Sequence, residues 1–392
     1  MKHDATNPPP DVITAALRRC AEEPIHTPGS VQPHGVLLAA RDAEDGRIVY
    51  ASANSARLLG LAPSQCLGRP LAEVIPGLGA LDTAPHGQCL SPRMAVLAGG
   101  QLLAVFIHRR NGFVIVEAEE AEEPQEVGTD ETQKDFADAL ARARSVFDVA
   151  AATVRRVAAA TGFDRCMFYR FLPDWSGDVI AETRDEEMVP YLGLRYPASD
   201  IPEQARKLYL DNIYRAVADV DAEPSPLVAA VSTGGAPLDL TFANLRAVSP
   251  VHLQYLRNMG VAASLTGSII VGGRLWGLVA CHHRGRRLTP PFERAAFAQI
   301  IVDAAAAIDR IEADRRSALD KRVAGRLKRI EDILRRSDEN IALRLLTDDP
   351  GLGDLAGADG AAMVADGRVL TFGISPDVDA VRRLAACFGD GA

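Results

Sequence analysis

The sequence predicts an α+β chain: small antiparallel sheets with flanking helices, followed by one long helix. Three observations lead there. Short apolar runs are split by two-residue glycine turns at Asp45-Gly46, Asn111-Gly112 and Gly272-Gly273. Over 136–310 the order is helix, strands, irregular insert, hairpin, helix, which suits a six-stranded sheet backed by helices. From Pro291 to about Leu346 a proline-free stretch keeps apolar residues at three/four spacing. At 392 residues the chain has room for two or three domains, each able to bury its own core.

In the first domain, Val36–Ala40 and Ile48–Ser52 read as strands about Asp45-Gly46. Asn54 is placed to cap a short helix that ends near Gly60. Leu102–His108 and Phe113–Val116 form a hairpin about Asn111-Gly112. Glu117–Asp135 is acidic and carries Pro124 and Gly128, so it reads as a solvated linker. A helix from about Phe136 to Ala160 opens the second domain. Cys166–Phe171 and Asp178–Glu182 are strand-like about Ser176-Gly177. A Pro/Ser/Ala-rich loop covers 219–240, and Leu265–Val271 pairs with Leu275–Cys281.

Along the last helix, Ile301, Ala304, Ile308, Ile311, Leu319, Val323, Leu327, Ile330, Leu334, Ile341 and Leu345 make one apolar side. Its length, on the order of 80 Å, exceeds one domain, so the expected cover is a second copy of the chain in a coiled coil or bundle. Ala361–Val364 and Val369–Phe372 suggest the opening of a third domain.

Lys+Arg 43 against Asp+Glu 52 give a net charge of -9, which speaks against a nucleic-acid surface. No apolar run of about 20 residues exists, and the N-terminus lacks the apolar core of a secretory signal, so no membrane span is expected. Cys20, Cys66, Cys89, Cys166, Cys281 and Cys387 are scattered with no C-x-x-C pair, which fits a reducing cytoplasm. No Ser-His-Asp order, P-loop, H-E-x-x-H or G-x-G-x-x-G occurs, so no enzymatic activity is expected.

Three clusters and a histidine pair could carry chemistry. Cys20 precedes an irregular stretch rich in Pro, Gly, His and Ser, where a thiol is accessible; a plain tail is the commoner outcome of such composition. Tyr196-Pro-Ala-Ser-Asp200-Ile201-Pro202 opens a helix that Ser199 or Asp200 can cap. Arg215 and Arg246 lie near the same sheet and could clamp two carboxylates or phosphates. In Ser249-Pro-Val251-His252-Leu-Gln-Tyr255-Leu-Arg-Asn-Met259-Gly260, His252 and Tyr255 share a helix face. His282-His283 ends a strand, so only one of the two can face a cavity.

Together and in this order, P-I-H-T-P-G-S-V-Q-P-H-G ending at Gly35, Y-P-A-S-D-I-P at 196–202, S-P-V-H-L-Q-Y-L-R-N-M-G at 249–260 and L-W-G-L-V-A-C-H-H at 275–283 resemble the photosensory region of bacteriophytochromes. The match covers roughly residues 15–350. The resemblance implies an N-terminal segment (1–34), a PAS domain (35–130), a GAF domain (136–310), a connecting helix (311–346) and the start of a PHY domain (347–392). It also implies that the N-terminal segment is threaded through the GAF insert as a figure-of-eight knot enclosing Val31, an exception to the rule against threaded loops.

The resemblance implies a red/far-red photoreceptor holding biliverdin IXα, thioether-linked through Cys20. The alternative attachment position of other branches is Val251 here, which cannot bond. It implies that Asp200 and His252 hold the pyrrole N–H groups and that His282 bonds the D-ring carbonyl. Tyr169 and Tyr255 flank that ring, with Tyr191 and Tyr196 nearby, where many relatives have Phe. Arg215, Arg246, Tyr209, Ser249, Ser264 and Thr266 bind the propionates, while Ile201, Pro202 and Met259 complete the pocket. A homodimer through GAF and connecting helices is implied, with a histidine kinase or other output downstream. A GAF sensor for another small molecule, a haem or metal sensor using His252 or His282, and a purely structural dimerisation module are the rival readings.

Overall fold

The structure is a computed structural model and describes residues 23–42, 46–78, 84–97, 100–122, 130–336, 358–365 and 367–388. Two compact units divide the chain, Met1–Asp309 and Arg310–Ala392.

The first unit begins with β1 (Ser30–Val31), β2 (Gly35–Arg41) and β3 (Ile48–Ser52). Three short helices follow: α1 (Ser55–Leu59), α2 (Pro63–Cys66) and α3 (Leu71–Val74). Then come β4 (Arg93–Val96), β5 (Leu102–Arg110) and β6 (Phe113–Glu120). The β5–β6 turn uses Asn111 at φ 48° and Gly112 at φ 77°, the left-handed pair that an Asn-Gly hairpin requires. Asp45 of the first expected turn lies outside the described residues. Val36, Leu38, Val105, Ile107, Val114 and Val116 share one apolar core with α1–α3, as period-2 alternation dictates.

Two expectations for this region change. Asn54 stands at the start of α1, but its side chain does not cap the helix. Its Nδ2 donates instead to the carbonyls of Pro33 and Gly35, at 3.2 and 2.8 Å, tying down the N-terminal segment. The acidic linker also begins later than its composition suggests. Glu117 and Glu119 belong to β6 and are buried, because each has partners on the opposite face of the sheet.

Next come α4 (Asp130–Arg142) and α5 (Val146–Thr161), then β7 (Arg165–Phe171), β8 (Gly177–Arg184), β9 (Arg195–Tyr196) and α6 (Glu203–Asp211). The single helix expected over Phe136–Ala160 is two. Ser145 leaves the helical region and caps α5 by accepting from the Asp148 N–H, while Asp148 accepts from the Ser145 N–H. The capping expectation at α6 also fails. Pro202 is the N-cap residue, and neither Ser199 nor Asp200 caps the helix through a side chain.

Strands β10 (Tyr214–Val217) and β11 (Ser225–Ala229), α7 (Pro250–Asn258), β12 (Ala263–Val271) and β13 (Arg274–His283) complete the domain, and α8 (Pro291–Arg336) follows. The expected six-stranded sheet forms in the order β10-β12-β13-β7-β8-β9, with every neighbouring pair antiparallel. Helix α5 packs on β7 and β8. Phe297, Ile301, Ala304 and Ile308 of α8 are buried. Gly267 on β12 lets α8 approach closely: a Cβ there would lie 2.5 Å from Ile301 Cγ1.

The insert does more than loop. Its strand β11 pairs with both β1 and β3 and so joins the first domain's sheet, whose order is β1-β11-β3-β2-β6-β5-β4. On the other side of β1, the Gln32 N–H donates to Leu245 O and the Ala247 N–H to Ser30 O. Val31, fully buried, is thus bracketed by β11 of the insert and by the 245–247 stretch that follows it, the arrangement of the figure-of-eight knot. The segment read from composition as a tail is held.

In the second unit, the two apolar runs become β14 (Gly360–Ala365) and β15 (Arg368–Gly373), which pair as a hairpin on which α9 (Val378–Phe388) packs. Ile341 and Leu345 of the long-helix pattern lie outside the described residues. Within α8 the pattern divides: Ile301 and Ile308 are core, whereas Leu319 and Leu327 are more than half exposed.

Candidate functional site

One face of the six-stranded sheet is a cavity wall. Register places Ser264 opposite His282 and Thr266 opposite Ala280, so these four side chains share a face. Across β7, Tyr169 lies opposite Leu278 and Val179, which extends the same face. Gly177 makes room for the Tyr169 ring, since a Cβ there would sit 2.0 Å from its Cζ. His282 faces the cavity and His283 does not: the latter meets Asp164 at 3.6 Å. The alternation of a strand end thus resolves the His pair.

Two adjoining cavities occupy this face, of about 100 and 420 Å3. They share Asp200, Ile201, Tyr209, His252 and Tyr255. The smaller also carries Tyr169, Tyr191, Tyr196, Met259, Ser264, Thr266 and His282. The larger carries Pro202, Arg215, Arg246 and Ser249. All the candidate residues named from sequence therefore line this space except Cys20, which lies outside the described residues. Glu23, three positions further on, lines the larger cavity.

The smaller cavity is aromatic. Tyr169–Tyr196 and Tyr191–Tyr196 ring centroids lie 6.4 and 6.1 Å apart. His252 and Tyr255 stack on one face of α7 at 6.3 Å, as their i, i+3 spacing requires. The Tyr255 hydroxyl donates to Asp200 Oδ2 at 3.4 Å. Burial raises the Asp200 carboxyl above its ordinary value. Burial, then the nearby charge of Arg215, pulls His252 down to about 4; burial and Arg165 pull His282 to about 3. Both imidazoles are neutral at pH 7. Tyr169 Oη and His282 Nδ1 are buried with no hydrogen-bond partner among the described residues.

The larger cavity is cationic. Arg215 donates through Nη1 to Asn244 O at 3.0 Å and through Nη2 to Arg246 O. Arg246 Nη1 is buried without a hydrogen-bond partner among the described residues. Burial brings Arg215 down to about 9, with Arg246 adding like-charge repulsion, and brings Arg246 down to about 10. Both stay charged at neutral pH. A buried guanidinium with a spare N–H asks for an acceptor, and a carboxylate fits its fork. Ser249 caps α7 and spends its hydroxyl proton on Glu23 Oε2, 2.5 Å away.

Sequence reasoning missed several members. Glu23 and Gln204 line the larger cavity. Behind Tyr191 lies a buried pair, Arg165 and Glu182, 3.1 Å apart. The Arg165 guanidinium stacks 3.8 Å from the Tyr191 ring centroid, and Glu182 accepts from the Tyr191 N–H. The alternation of β7 and β8 carried that signal only once their register was known.

A seven-stranded sheet stitched by an insert to a six-stranded one, with a polar-centred cavity on the second, defines a PAS–GAF sensory module. The PAS fold model matches residues 20–121 and the GAF domain model residues 147–308. The chain belongs to the phytochrome family. It is 39% identical over 391 residues to a bacteriophytochrome of Xanthomonas campestris pv. campestris, covering 97% of this chain and 60% of that one. The phytochrome photosensory core module of Stigmatella aurantiaca superposes with TM-score 0.81 at 34% identity, over 100% of this chain and 77% of that one. The chromophore-binding domain of Stigmatella aurantiaca phytochrome P1 does so with TM-score 0.66 at 37% identity, over 74% and 98%. The chain spans 60% of the Xanthomonas relative and 50% of a Pseudomonas aeruginosa bacteriophytochrome.

Proposed function

We propose that this chain is a red/far-red photoreceptor that holds biliverdin IXα in the two adjoining cavities and attaches it through the Cys20 thiol. The observation that carries the reading is an arginine pair, of which Arg246 is buried with a spare donor, beside an aromatic cavity with neutral histidines. That combination suits a conjugated, largely apolar ligand with polar N–H groups at its centre and two carboxylates at one edge. When bound, the bilin supplies absorption of red light and isomerisation about a methine bridge.

The chain's residues do the rest. Arg215 and Arg246, with Tyr209, Ser249, Ser264 and Thr266, bind and orient the propionates. The Asp200 carbonyl and an unprotonated His252 nitrogen accept pyrrole N–H groups. His282 meets the terminal-ring carbonyl. Tyr169, Tyr191, Tyr196 and Tyr255 wall the ring that turns, with Ile201, Pro202 and Met259 packing around the system. The Asp200 carboxylate, poised on Tyr255, is the switch contact. The module acts as a sensor in the cytoplasm, dimerises through its helices and passes the signal to a histidine kinase or other output.

The attachment is tested by mixing protein and biliverdin, denaturing, and reading zinc-induced fluorescence on a gel. A fluorescent band is expected for the unaltered chain and for Cys281→Ser, and none for Cys20→Ser. No band from the unaltered chain overturns the reading.

A further inference from the structure

The stretch Ala243–Ala247 carries Arg246 into the larger cavity, and almost every polar backbone group around it is gripped. Arg215 takes the carbonyls of Asn244 and Arg246. Gln32 takes the Leu245 carbonyl through its N–H, and Ser30 O accepts the Ala247 N–H. The Asn244 side chain is held by Gln88 Nε2 at 2.8 Å. The remaining grip comes from the PAS sheet. Glu117, on β6 and fully buried, accepts the Asn244 N–H at 3.0 Å with one carboxylate oxygen and the Leu245 N–H at 2.6 Å with the other.

A carboxylate with both oxygens engaged by consecutive amides fixes the peptide plane more tightly than a single bond does. A buried acid is also costly unless it is compensated. Burial pushes Glu117 up to about 7, and the two amide N–H groups act against that shift. Its charge opposes the loss of charge on both Arg215 and Arg246. It therefore acts one step behind the cavity, gripping the backbone that carries Arg246. No motif of the sequence marks it.

We propose that Glu117 is a positioning residue for the arginine pair: the PAS sheet, through this one carboxylate, sets the affinity and selectivity of the GAF cavity for a dicarboxylate ligand. This rests on the bilin reading for the ligand, but not for the clamp itself, which exists without ligand. Replacing Glu117 by Gln leaves one acceptor and turns an NH2 group toward a backbone N–H, so one amide loses its partner. Arg246 then loses its aim while the aromatic cavity stays intact.

The test uses the full chain in a Cys20→Ser background, so that binding is reversible. Affinities for biliverdin and for its dimethyl ester are measured by absorbance titration. Amide hydrogen exchange at Asn244 and Leu245 is measured without ligand. The unaltered clamp is expected to prefer the diacid over the ester. Glu117→Gln is expected to lose that preference by about fivefold or more, with ester affinity held and faster exchange at the two amides. Arg246→Gln should remove the same preference non-additively with Glu117→Gln. A folded Glu117→Gln variant that keeps the diacid preference, or slow exchange at both amides, overturns the proposal. If Glu117→Gln does not fold, Glu117→Asp carries the same test. Failure of the unaltered chain to bind either pigment counts against the bilin reading, and the exchange data alone then decide the clamp.

Discussion

Histidines lowered by desolvation make the ligand-free chain acid-sensitive. His108 lies wholly inside the PAS–insert junction, 4.0 Å from Glu117, and burial holds it at about 4. His252 and His282 are held at about 4 and 3. A histidine lowered on folding adds stability that is complete above its unfolded value of about 6.5 and is lost as pH falls through its folded value. Glu117, raised to about 7, runs the other way: its contribution is complete below about 4.5 and is lost as pH rises through 7. The histidine shifts, with His34 lowered as well, outweigh those of Glu117 and the raised carboxyls of Asp200 and Glu293, so Tm of the ligand-free chain should fall from pH 7 to 5. His108→Leu, which lines neither site cavity, should shallow that fall. A flat Tm over this range contradicts the burial argument. Residue chemistry was unevenly legible. His252, Asp200 and Arg246 announced themselves by motif and type. Glu117 and Glu119 did not, because acidic runs normally face water, and only pairing shows that β6 alternates Glu117 and Glu119 inward.

At the scale of elements, turn chemistry was the surest guide. Asn111-Gly112 and Gly272-Gly273 adopt the left-handed backbone that their composition requires. Helix breaks without glycine or proline were not legible: Ser145 splits α4 from α5 by capping alone. The long helix α8 was read as one apolar stripe, yet Ile301 and Ile308 are core while Leu319 and Leu327 stand open. Exposed leucines at helical spacing are what the proposed helix-mediated dimer would cover. Sedimentation should report a dimer for the unaltered chain and a shift toward monomer for the double variant Leu319→Glu, Leu327→Glu. An unchanged dimer places the interface elsewhere.

The Met1–Asp309 unit is organised by exchange between its domains. The GAF insert lends β11 to the PAS sheet, the N-terminal segment passes between β11 and Leu245–Ala247, and Arg294 at the start of α8 pairs with buried Glu119 of β6. Removing one partner of such a pair costs about 3–5 kcal/mol, so the junction is a structural unit and not a loose hinge. Composition and periodicity delimited the domains but not this exchange, because a two-residue strand such as Ser30–Val31 has no periodic signature. The family resemblance supplied the knot, and the hydrogen bonds on both edges of β1 give its physical basis. The most direct test of the photoreceptor account is the absorption difference spectrum of the biliverdin-loaded chain before and after red light. The account predicts covalently bound pigment whose red band shifts on illumination and returns under far-red light or in darkness. Bound pigment with an unchanging spectrum would contradict it.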